Sequence, residues 1–410
     1  MPTHLRCYVE RDGVRPGRGR QPNLREVDGG SVTMDQGPVR RGPATDGRTA
    51  GLTTTRSARS AAIDTARGLA ITMVVAGHVL RGLRAAGLAT EAVFATMDLW
   101  LYSFRMPAFA FLAALFIKSG TIKYGDRSYV ARRARDLMWV YVIWSLLQGV
   151  FEVALSGRTN SPTSWTEVLA LWSPRAQFWY LPFLLVASCL MVAIKPWRSH
   201  FLAVLSVVVA FGVSWLTWQW NYRPFGLMGA PLLSFVMLGA AVSVGTVSRV
   251  LERTNAWWLV GASAASTALL TLIVLRAPVV PATGFFPVEV TAATRTWGLV
   301  AGLIGIVLLF SFAAVISRTS AFIQTMSAYL GRHSLVIYLA HILCAAGTRE
   351  TLEALGVSSA AVHIVAGMGA GMTGPLLLAA TARHVPIVSW LLTPPSDRTS
   401  NAGSPAASAA

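Results

Sequence analysis

Long apolar runs, separated by short polar loops, make up most of the chain between residues 66 and 381. A helix needs about 20 apolar residues to cross the hydrocarbon core of a bilayer, and each run has about 17 to 25 of them. We therefore predict an all-α, polytopic integral membrane helical bundle with about ten transmembrane helices. The predicted spans are residues 66–86, 93–117, 136–155, 177–194, 200–217, 224–244, 257–275, 297–316, 329–346 and 359–381.

The composition supports a membrane protein and argues against nucleic-acid binding. Hydrophobic residues make up 54% of the chain and charged residues 13%, whereas a soluble domain has about 25% charged residues. The formal net charge of +17 lies largely near the N-terminus and in short loops, where membrane topology places Lys and Arg. Cys7, Cys189 and Cys344 are far apart and lack metal-binding or disulfide spacing, so we predict no metal and no bound cofactor.

The two ends of the chain differ from the apolar middle. Residues 1–58 are rich in Arg, Gly, Thr and Ser and have too few apolar residues to offset the entropy cost of ordering. We predict a disordered basic cytoplasmic tail there, a transmembrane domain at 59–385 and a disordered C-terminal tail at 386–410. Cations concentrate in the N-terminal arm and in loops on the same predicted side, so both termini are expected in the cytoplasm and the chain in the cell membrane.

The first predicted span carries two ionisable residues on one face. Arg67 and His78 are eleven residues apart, which is about three helical turns or about 16 Å. Arg67 thus lies at the membrane boundary, where Asp64 can pair with it, and His78 lies near the midplane. An ionisable group at that depth costs about 3 kcal/mol, which makes it a functional candidate. Imidazole suits proton transfer near neutral pH, although a histidine that only bonds a neighbouring helix gives the same pattern.

Further polar residues lie on the second and ninth predicted spans. Asp98, Tyr102 and Arg105 are spaced to line one face of the second span, where Arg105 can bind an anionic group or an internal carboxylate such as Asp98. Tyr338 and His341 share a face of the ninth span. If that span also enters from the cytoplasm, His341 reaches the depth of His78, and the two histidines then share a cavity.

Two other positions remain open between a functional and a structural role. Arg132 and Arg135 lie one helical turn apart before the third span and can clamp a polyphosphate. Cations that set topology and contact anionic lipid give the same pattern. Glu152, in the outer half of the third span, has no evident partner in the sequence. It can bind or activate an acceptor, or form a hydrogen bond between helices.

Five segments, in this order, resemble the membrane acyltransferase-3 family, particularly its fucose-4-O-acetylase-like branch. The first is similar to the D-x-x-R-G opening of that family, in which ten residues separate the Arg from a later His. The others are similar to its F-H-M-P-x-F, Arg-x-x-Arg, W-F-L and L-G-x-x-S-L-x-I-Y-x-x-H segments. The segments here are residues 63–78, 103–109, 132–135, 178–181 and 329–341.

The chain departs from the family pattern at two places. Arg105 stands where the family usually has His, and Ala113-Ala114 stands where it usually has Ser-Gly. The first departure affects acceptor binding or local proton transfer, and the second affects helix packing. Neither involves Arg67 or His78.

The resemblance implies transfer of an acyl group, commonly acetyl from acetyl-CoA, to a hydroxyl of a carbohydrate or other small acceptor. Acyl-CoA is an anionic co-substrate, for which Arg67, Arg132 and Arg135 are the expected docking groups. His78 is then the base that deprotonates the acceptor, or a group that briefly accepts the acyl chain. Possible acceptors include a surface polysaccharide, a lipid-linked sugar, a peptidoglycan precursor and a glycosylated natural product.

Two other functions fit the same residues. A transporter or flippase of a sugar or small anion can use Arg105 and the histidines to line its path. The paired halves and broken helices common in transporters are not evident in the sequence. An inactive acyltransferase-like scaffold that binds a partner is the third possibility.

Overall fold

The structure, a computed structural model, describes residues 49–154, 163–284 and 288–395. These residues form fourteen α-helices and contain no strand. The helices are α1 Thr49–Ala85, α2 Ala92–Ala114, α3 Ile117–Tyr124, α4 Asp126–Ala154, α5 Trp165–Leu169, α6 Tyr180–Ile194, α7 His200–Leu216, α8 Leu233–Arg253, α9 Ala256–Arg276, α10 Ala292–Thr319, α11 Ala321–Arg332, α12 Ser334–Ala354, α13 Ala360–Thr381 and α14 Pro386–Leu392. Three short 3-10 segments lie at Ala176–Trp179, Pro196–Arg198 and Pro224–Leu232.

Nine helical segments of the described chain are long and apolar enough to cross a membrane. A further helix, α7, is apolar but has only 17 residues. The prediction of an all-α polytopic bundle with about ten spans is confirmed. The nine segments are Ala61–Ala85, Ala92–Tyr124, Asp126–Ala154, Ala176–Arg198, Pro224–Arg253, Ala256–Arg276, Ala292–Thr319, Ser334–Ala354 and Ala360–Thr381.

Two predicted spans have different boundaries in the structure. The span predicted to begin at residue 136 belongs to α4, which begins at Asp126 because Arg, Ala and Tyr extend the helix beyond its apolar part. The span predicted at 329–346 is interrupted at His333, where α11 ends and α12 begins. The ring of His333 bonds the carbonyl of Tyr329 at 2.9 Å and so satisfies one of the end groups of α11.

Parts of both predicted tails are helical where the structure describes them. Helix α1 begins at Thr49, inside the predicted disordered tail 1–58, because extending an existing helix costs much less than starting one. The predicted tail 386–410 begins instead with α14. Residues 1–48 and 396–410 lie outside the described parts of the chain.

Aromatic contacts hold α14 against α4. The indole of Trp390 packs edge-on against that of Trp139, with ring centroids 4.9 Å apart. Trp139 donates a hydrogen bond to the Trp390 carbonyl at 2.9 Å, and Trp144 donates to the Leu391 carbonyl at 3.0 Å. Pro386 suits the first turn of a helix because that position needs no backbone donor. These contacts order a segment that composition alone assigns to a tail.

Helix α1 is central to the bundle and packs against α2, α10, α11, α12 and α13. Its contact with α11 depends on two glycines: a Cβ on Gly68 would lie 2.0 Å from the Ser327 carbonyl oxygen, and one on Gly331 would lie 2.4 Å from the Asp64 carbonyl oxygen. Small residues allow this approach of two helix backbones inside a membrane. The close packing fixes the position of Arg67 beside α11.

Helix α10 approaches α2 in the same way. A Cβ on Gly305 would lie 2.0 Å from the Cβ of Phe104, and one on Gly302 would lie 3.1 Å from the Cγ of Pro107. Phe104 is buried, and it immediately precedes Arg105 on α2. The glycines of α10 therefore set the depth at which the polar face of α2 enters the bundle.

We expect Gly305→Val to destabilise the protein by about 2 kcal/mol, because the added methyl groups overlap Phe104 in a packed interior. The matched control is Gly261→Val on α9, where an added Cβ meets no atom within 4 Å. Thermal unfolding of the detergent-solubilised protein measures both. Equal unfolding temperatures for the two variants would contradict the close contact between α2 and α10.

Candidate functional site

Two cavities lie along the same three helices. One of about 740 Å³ is lined by the cations Arg67, Lys123, Arg133 and Arg332, and we call it the arginine cavity. The other, of about 710 Å³, is lined by His78 and by residues of α1, α4, α12 and α13, and we call it the histidine cavity. Three helices contribute to both cavities, through Arg67 and His78 of α1, Arg133 and Gln148 of α4, and Tyr338 and Ile342 of α12.

The order of those residues gives the helix directions. In each of the three helices the residue at the arginine cavity comes first and the residue at the histidine cavity follows eleven, fifteen and four residues later. The helices α1, α4 and α12 are therefore parallel, and the cavities lie at successive depths along them. This agrees with the expectation that the ninth predicted span enters from the same side as the first.

The arginine cavity combines positive charge with aromatic walls. The guanidinium of Arg67 lies 4.0 Å above the ring of Phe116 and 3.7 Å from the carboxylate of Asp64. Asp64 therefore orients Arg67, as its spacing predicts. Lys123, Arg133 and Arg332 supply further cations, and Tyr124 and Tyr129 supply rings.

The arginine that α4 contributes to the cavity differs from the predicted arginine clamp, whose role in binding the donor stays a prediction. The lining residue is Arg133, whereas the predicted Arg132 and Arg135 do not line the cavity. Arg132 is exposed and packs its guanidinium 4.9 Å from the ring of Tyr124, and Arg135 pairs with Asp136 at 2.8 Å. The reason is helical phase: because α4 starts at Asp126, the face that turns inward carries Tyr129, Arg133 and Leu137 at intervals of four.

His78 and His341 contact each other beside the histidine cavity. Their ring centroids lie 5.1 Å apart with the rings tilted by 57°. His78 is half-buried and lines the histidine cavity, whereas His341 is fully buried one turn beyond Tyr338 on α12. The two histidines thus lie side by side in the structure, although His341 is not among the residues that line the cavity they were predicted to share.

The hydrogen bonds of His341 fix its proton. Its Nδ1 lies 2.9 Å from the carbonyl oxygens of both Ile337 and Tyr338. A carbonyl oxygen only accepts, so Nδ1 carries the hydrogen and Nε2 of the neutral ring is an acceptor. This Nε2 is buried and has no hydrogen-bonding partner among the described residues. The pair therefore presents a basic nitrogen beside His78.

Glu152 belongs to a continuous polar network. Its carboxylate accepts a hydrogen bond from the Gln148 amide at 2.8 Å and pairs with Arg175 at 3.1 Å. Gln177 donates to Gln148 at 2.8 Å, and the Tyr338 hydroxyl donates to the backbone carbonyl of Gln177. Glu152 therefore has structural partners in Gln148 and Arg175. The network runs from Glu152, which lines the histidine cavity, to Tyr338, which lines the arginine cavity.

Arg105 has a different environment from the one predicted. Its side chain is 1% exposed, and its guanidinium lies 4.1 Å above the ring of Tyr102. Asp98 does not pair with it, because that carboxylate accepts from Arg81 at 3.0 Å and lies 3.5 Å from Arg84. Of the two alternatives for Arg105, pairing with Asp98 is therefore not found in the structure, and binding of an anionic group stays a prediction.

Several residues of the site were not identified from sequence. Lys123, Arg133 and Arg332 lie among many similar loop cations, so only the phase of the helices distinguishes them. Gln148 and Gln177 are uncharged, so a search for ionisable residues in the spans does not identify them. An amide inside an apolar run is nevertheless unusual. In the described part of the chain, no group of three His, Cys, Asp or Glu side chains has the arrangement that would hold a metal ion.

The comparison with known families concerns the same helices. The family model described as an acyltransferase domain, that of the acyltransferase-3 family, matches residues 60–380. The chain belongs to the acyltransferase-3 family. The matched range runs from α1 to α13 and contains both cavities. No curated protein and no solved structure matches the chain.

Membership of the acyltransferase-3 family supports acyl transfer as the activity of this multi-pass membrane protein. The family resemblance seen in the sequence is thereby confirmed at the level of the family. Residues of its first and last segments lie close together in the structure: Arg67 and Tyr338 line the arginine cavity, His78 lines the histidine cavity, and His341 contacts His78.

We expect Gln148→Leu to destabilise the protein by about 2 kcal/mol, because it leaves the buried amide of Gln177 and one oxygen of Glu152 without their partner. Gln324→Leu, on α11 outside the network, is the control. Thermal unfolding in detergent compares them. A Gln148→Leu protein as stable as the wild type would show that the network contributes nothing to the fold.

Proposed function

We propose that this acyltransferase moves an acyl group, most simply acetyl, from acyl-CoA in the arginine cavity to a hydroxyl of an acceptor in the histidine cavity. The observation that carries the proposal is the contact of His78 with His341 at the histidine cavity, on two helices, α1 and α12, that also line the arginine cavity. A donor and an acceptor held on either side of that pair can meet without either one crossing the membrane.

The arginine cavity suits the donor. Coenzyme A is an anionic polyphosphate that does not cross a bilayer, so its docking groups belong on the cytoplasmic side. Arg67, Arg133 and Arg332 supply guanidinium groups that pair with phosphate oxygens through two hydrogen bonds each. Rings such as Tyr124 can stack on an adenine base. This placement puts the N-terminal end of α1 in the cytoplasm, and we propose the cell membrane as its location.

The histidine pair suits the chemistry. The imidazole of His78 takes the proton of the acceptor hydroxyl, and the hydroxyl oxygen attacks the thioester carbonyl carbon. The resulting tetrahedral intermediate collapses as the carbon–sulfur bond breaks, the sulfur takes the electron pair, and the imidazolium returns the proton to it. His341, whose Nδ1 is fixed by backbone carbonyls, holds its own ring in place beside His78.

The histidine cavity suits an acceptor with both polar and apolar parts. Its walls include Val79, Ile342 and Leu343, and its polar groups Glu152 and Arg349 lie farther along the parallel helices. A carbohydrate attached to a lipid or to another apolar group is the acceptor class that this lining favours. Its polar groups then face the rim while one hydroxyl reaches His78.

The decisive variant is His78→Gln, which removes the base and retains an amide of similar size. We expect transfer from labelled acetyl-CoA to fall by at least about 100-fold, the usual contribution of a general base. Purified full-length protein in lipid nanodiscs is incubated with an extract of the source cells, and alkali-labile label measures the ester product. The exposed His200 at the start of α7, changed to Gln, is the matched control.

Two results would overturn the assignment. Full ester formation by His78→Gln would remove His78 as the base. Uptake of an unmodified sugar into proteoliposomes, with no release of free thiol from acetyl-CoA, would replace the enzyme with a transporter.

A second prediction concerns the donor. We expect Arg133→Gln to raise the KM for acetyl-CoA by at least about tenfold, because it removes a charge-assisted pair with phosphate. The exposed Arg127 of the same helix, changed to Gln, is the control and should leave KM unchanged. Initial rates of thiol release give both values. If Arg135→Gln raised KM while Arg133→Gln did not, the clamp predicted from sequence would be correct and the arginine cavity would not hold the donor.

A further inference from the structure

Arg105 is a buried charged side chain that forms no ion pair with a described residue. Its three guanidinium nitrogens are buried, and none has a hydrogen-bonding partner among the described residues. The neutral ring of Tyr102 covers one face at 4.1 Å but does not neutralise the charge. A buried charge without a partner is costly, so its presence requires an explanation.

The described carboxylates in the bundle are paired elsewhere. Asp98 pairs with Arg81 and Arg84. Further pairs join Asp64 to Arg67, Asp126 to Lys195, Asp136 to Arg135, Glu152 to Arg175, and Glu350 and Glu353 to Arg349. No described acid is within ion-pair distance of Arg105, so an anionic partner for this guanidinium is not found among the described residues.

The guanidinium lies directly against the helix that carries His78. A Cβ built on Gly77 would lie 1.2 Å from Nη1 and 2.4 Å from Cζ of Arg105. Glycine at this position therefore leaves the space that the guanidinium fills. Gly77 immediately precedes His78, whose ring in turn contacts that of His341. Three polar groups thus converge in one buried place: Arg105, His78 and the unpaired Nε2 of His341.

We infer that Arg105 is a further catalytic residue, which binds the carbonyl oxygen of the acyl thioester and stabilises the negative charge that develops on it. This inference rests on the proposed acyl transfer. When the acceptor oxygen forms its bond to the carbonyl carbon, the π electron pair moves to the carbonyl oxygen, and the guanidinium N–H groups donate to that oxygen. The pair returns when the carbon–sulfur bond breaks. The proton passes from the hydroxyl to His78 and then to the sulfur.

The absence of a resting partner favours this role over binding of a permanent anion. An interaction made only in the transition state accelerates the reaction, whereas one that is equally strong with bound substrate lowers KM alone. Donors prearranged in a site without water also act more strongly on a developing charge than they would in water. Arg105 meets both conditions, because it is enclosed and its hydrogen-bond donors are unused.

The test compares Arg105→Gln with wild type in the acetyl-CoA assay described above. We expect kcat to fall by about 100- to 1,000-fold, as on removal of a donor to an oxyanion. The KM for acetyl-CoA should change less than about threefold, because the lost interaction belongs to the transition state. Arg105→Lys keeps the charge but not the planar donors. Its kcat should lie between those of wild type and Arg105→Gln. Arg84→Gln, which alters a half-exposed neighbour paired with Asp98, is the matched control and should keep wild-type kcat.

Stability and rescue separate catalysis from a packing role. The unfolding temperature of Arg105→Gln should equal or exceed that of wild type, since the variant removes an unpaired buried charge. Methylguanidinium added to Arg105→Ala should restore part of the rate, and added methylammonium should restore less. This rescue remains measurable if Arg105→Gln fails to fold.

The outcomes also separate this inference from the proposed function. If Arg105→Gln keeps wild-type kcat while His78→Gln is inactive, the role of Arg105 is wrong and acyl transfer through His78 stands. A rise in KM with unchanged kcat would make Arg105 a ground-state anion site and would overturn the inference. If wild type itself forms no ester from acetyl-CoA, the proposed function fails first.

Discussion

Hydrocarbon offers no hydrogen bonds, so every polar side chain within the bundle must find its partner in the protein or in a ligand. Most described residues obey this constraint through neighbours on other helices, as Glu152 does with Gln148 and Arg175. Buried atoms without a hydrogen-bonding partner occur at several described positions, but Arg105 differs from the others because all three of its guanidinium nitrogens are among them. That difference distinguishes Arg105 from the arginines of the structural polar network.

The close backbone contacts serve the site around Arg105 and His78. Gly68 and Gly331 bring α1 against α11, and Gly305 brings α10 against Phe104 of α2. Gly77 then leaves room for the guanidinium of Arg105 beside α1. Because each glycine removes a side chain where two elements meet, the packing that stabilises the bundle also sets the distance between α1 and its catalytic neighbours.

Much of this arrangement can be predicted from the sequence, from helical periodicity and from the cost of burying polar side chains. The spacing of Arg67 and His78 places them at different depths on one face of α1, and they line the two cavities as that spacing requires. Periodicity does not fix the rotation of a helix about its axis, so it pointed to Arg132 and Arg135 instead of Arg133. The sequence also does not show which cation a carboxylate pairs with. Asp98 has three arginines nearby in the sequence, and it pairs with Arg81 and Arg84.

The arrangement explains why a charge that weakens the fold can persist. A carboxylate placed to neutralise Arg105 would stabilise the resting protein and would compete with the developing charge of the reaction for the same N–H groups. An apolar side chain would pack well and offer no donors. The guanidinium between Tyr102 and Gly77 is therefore covered but forms no ion pair. It lowers the stability of the resting protein. Its hydrogen bonds are complete only when negative charge develops beside His78.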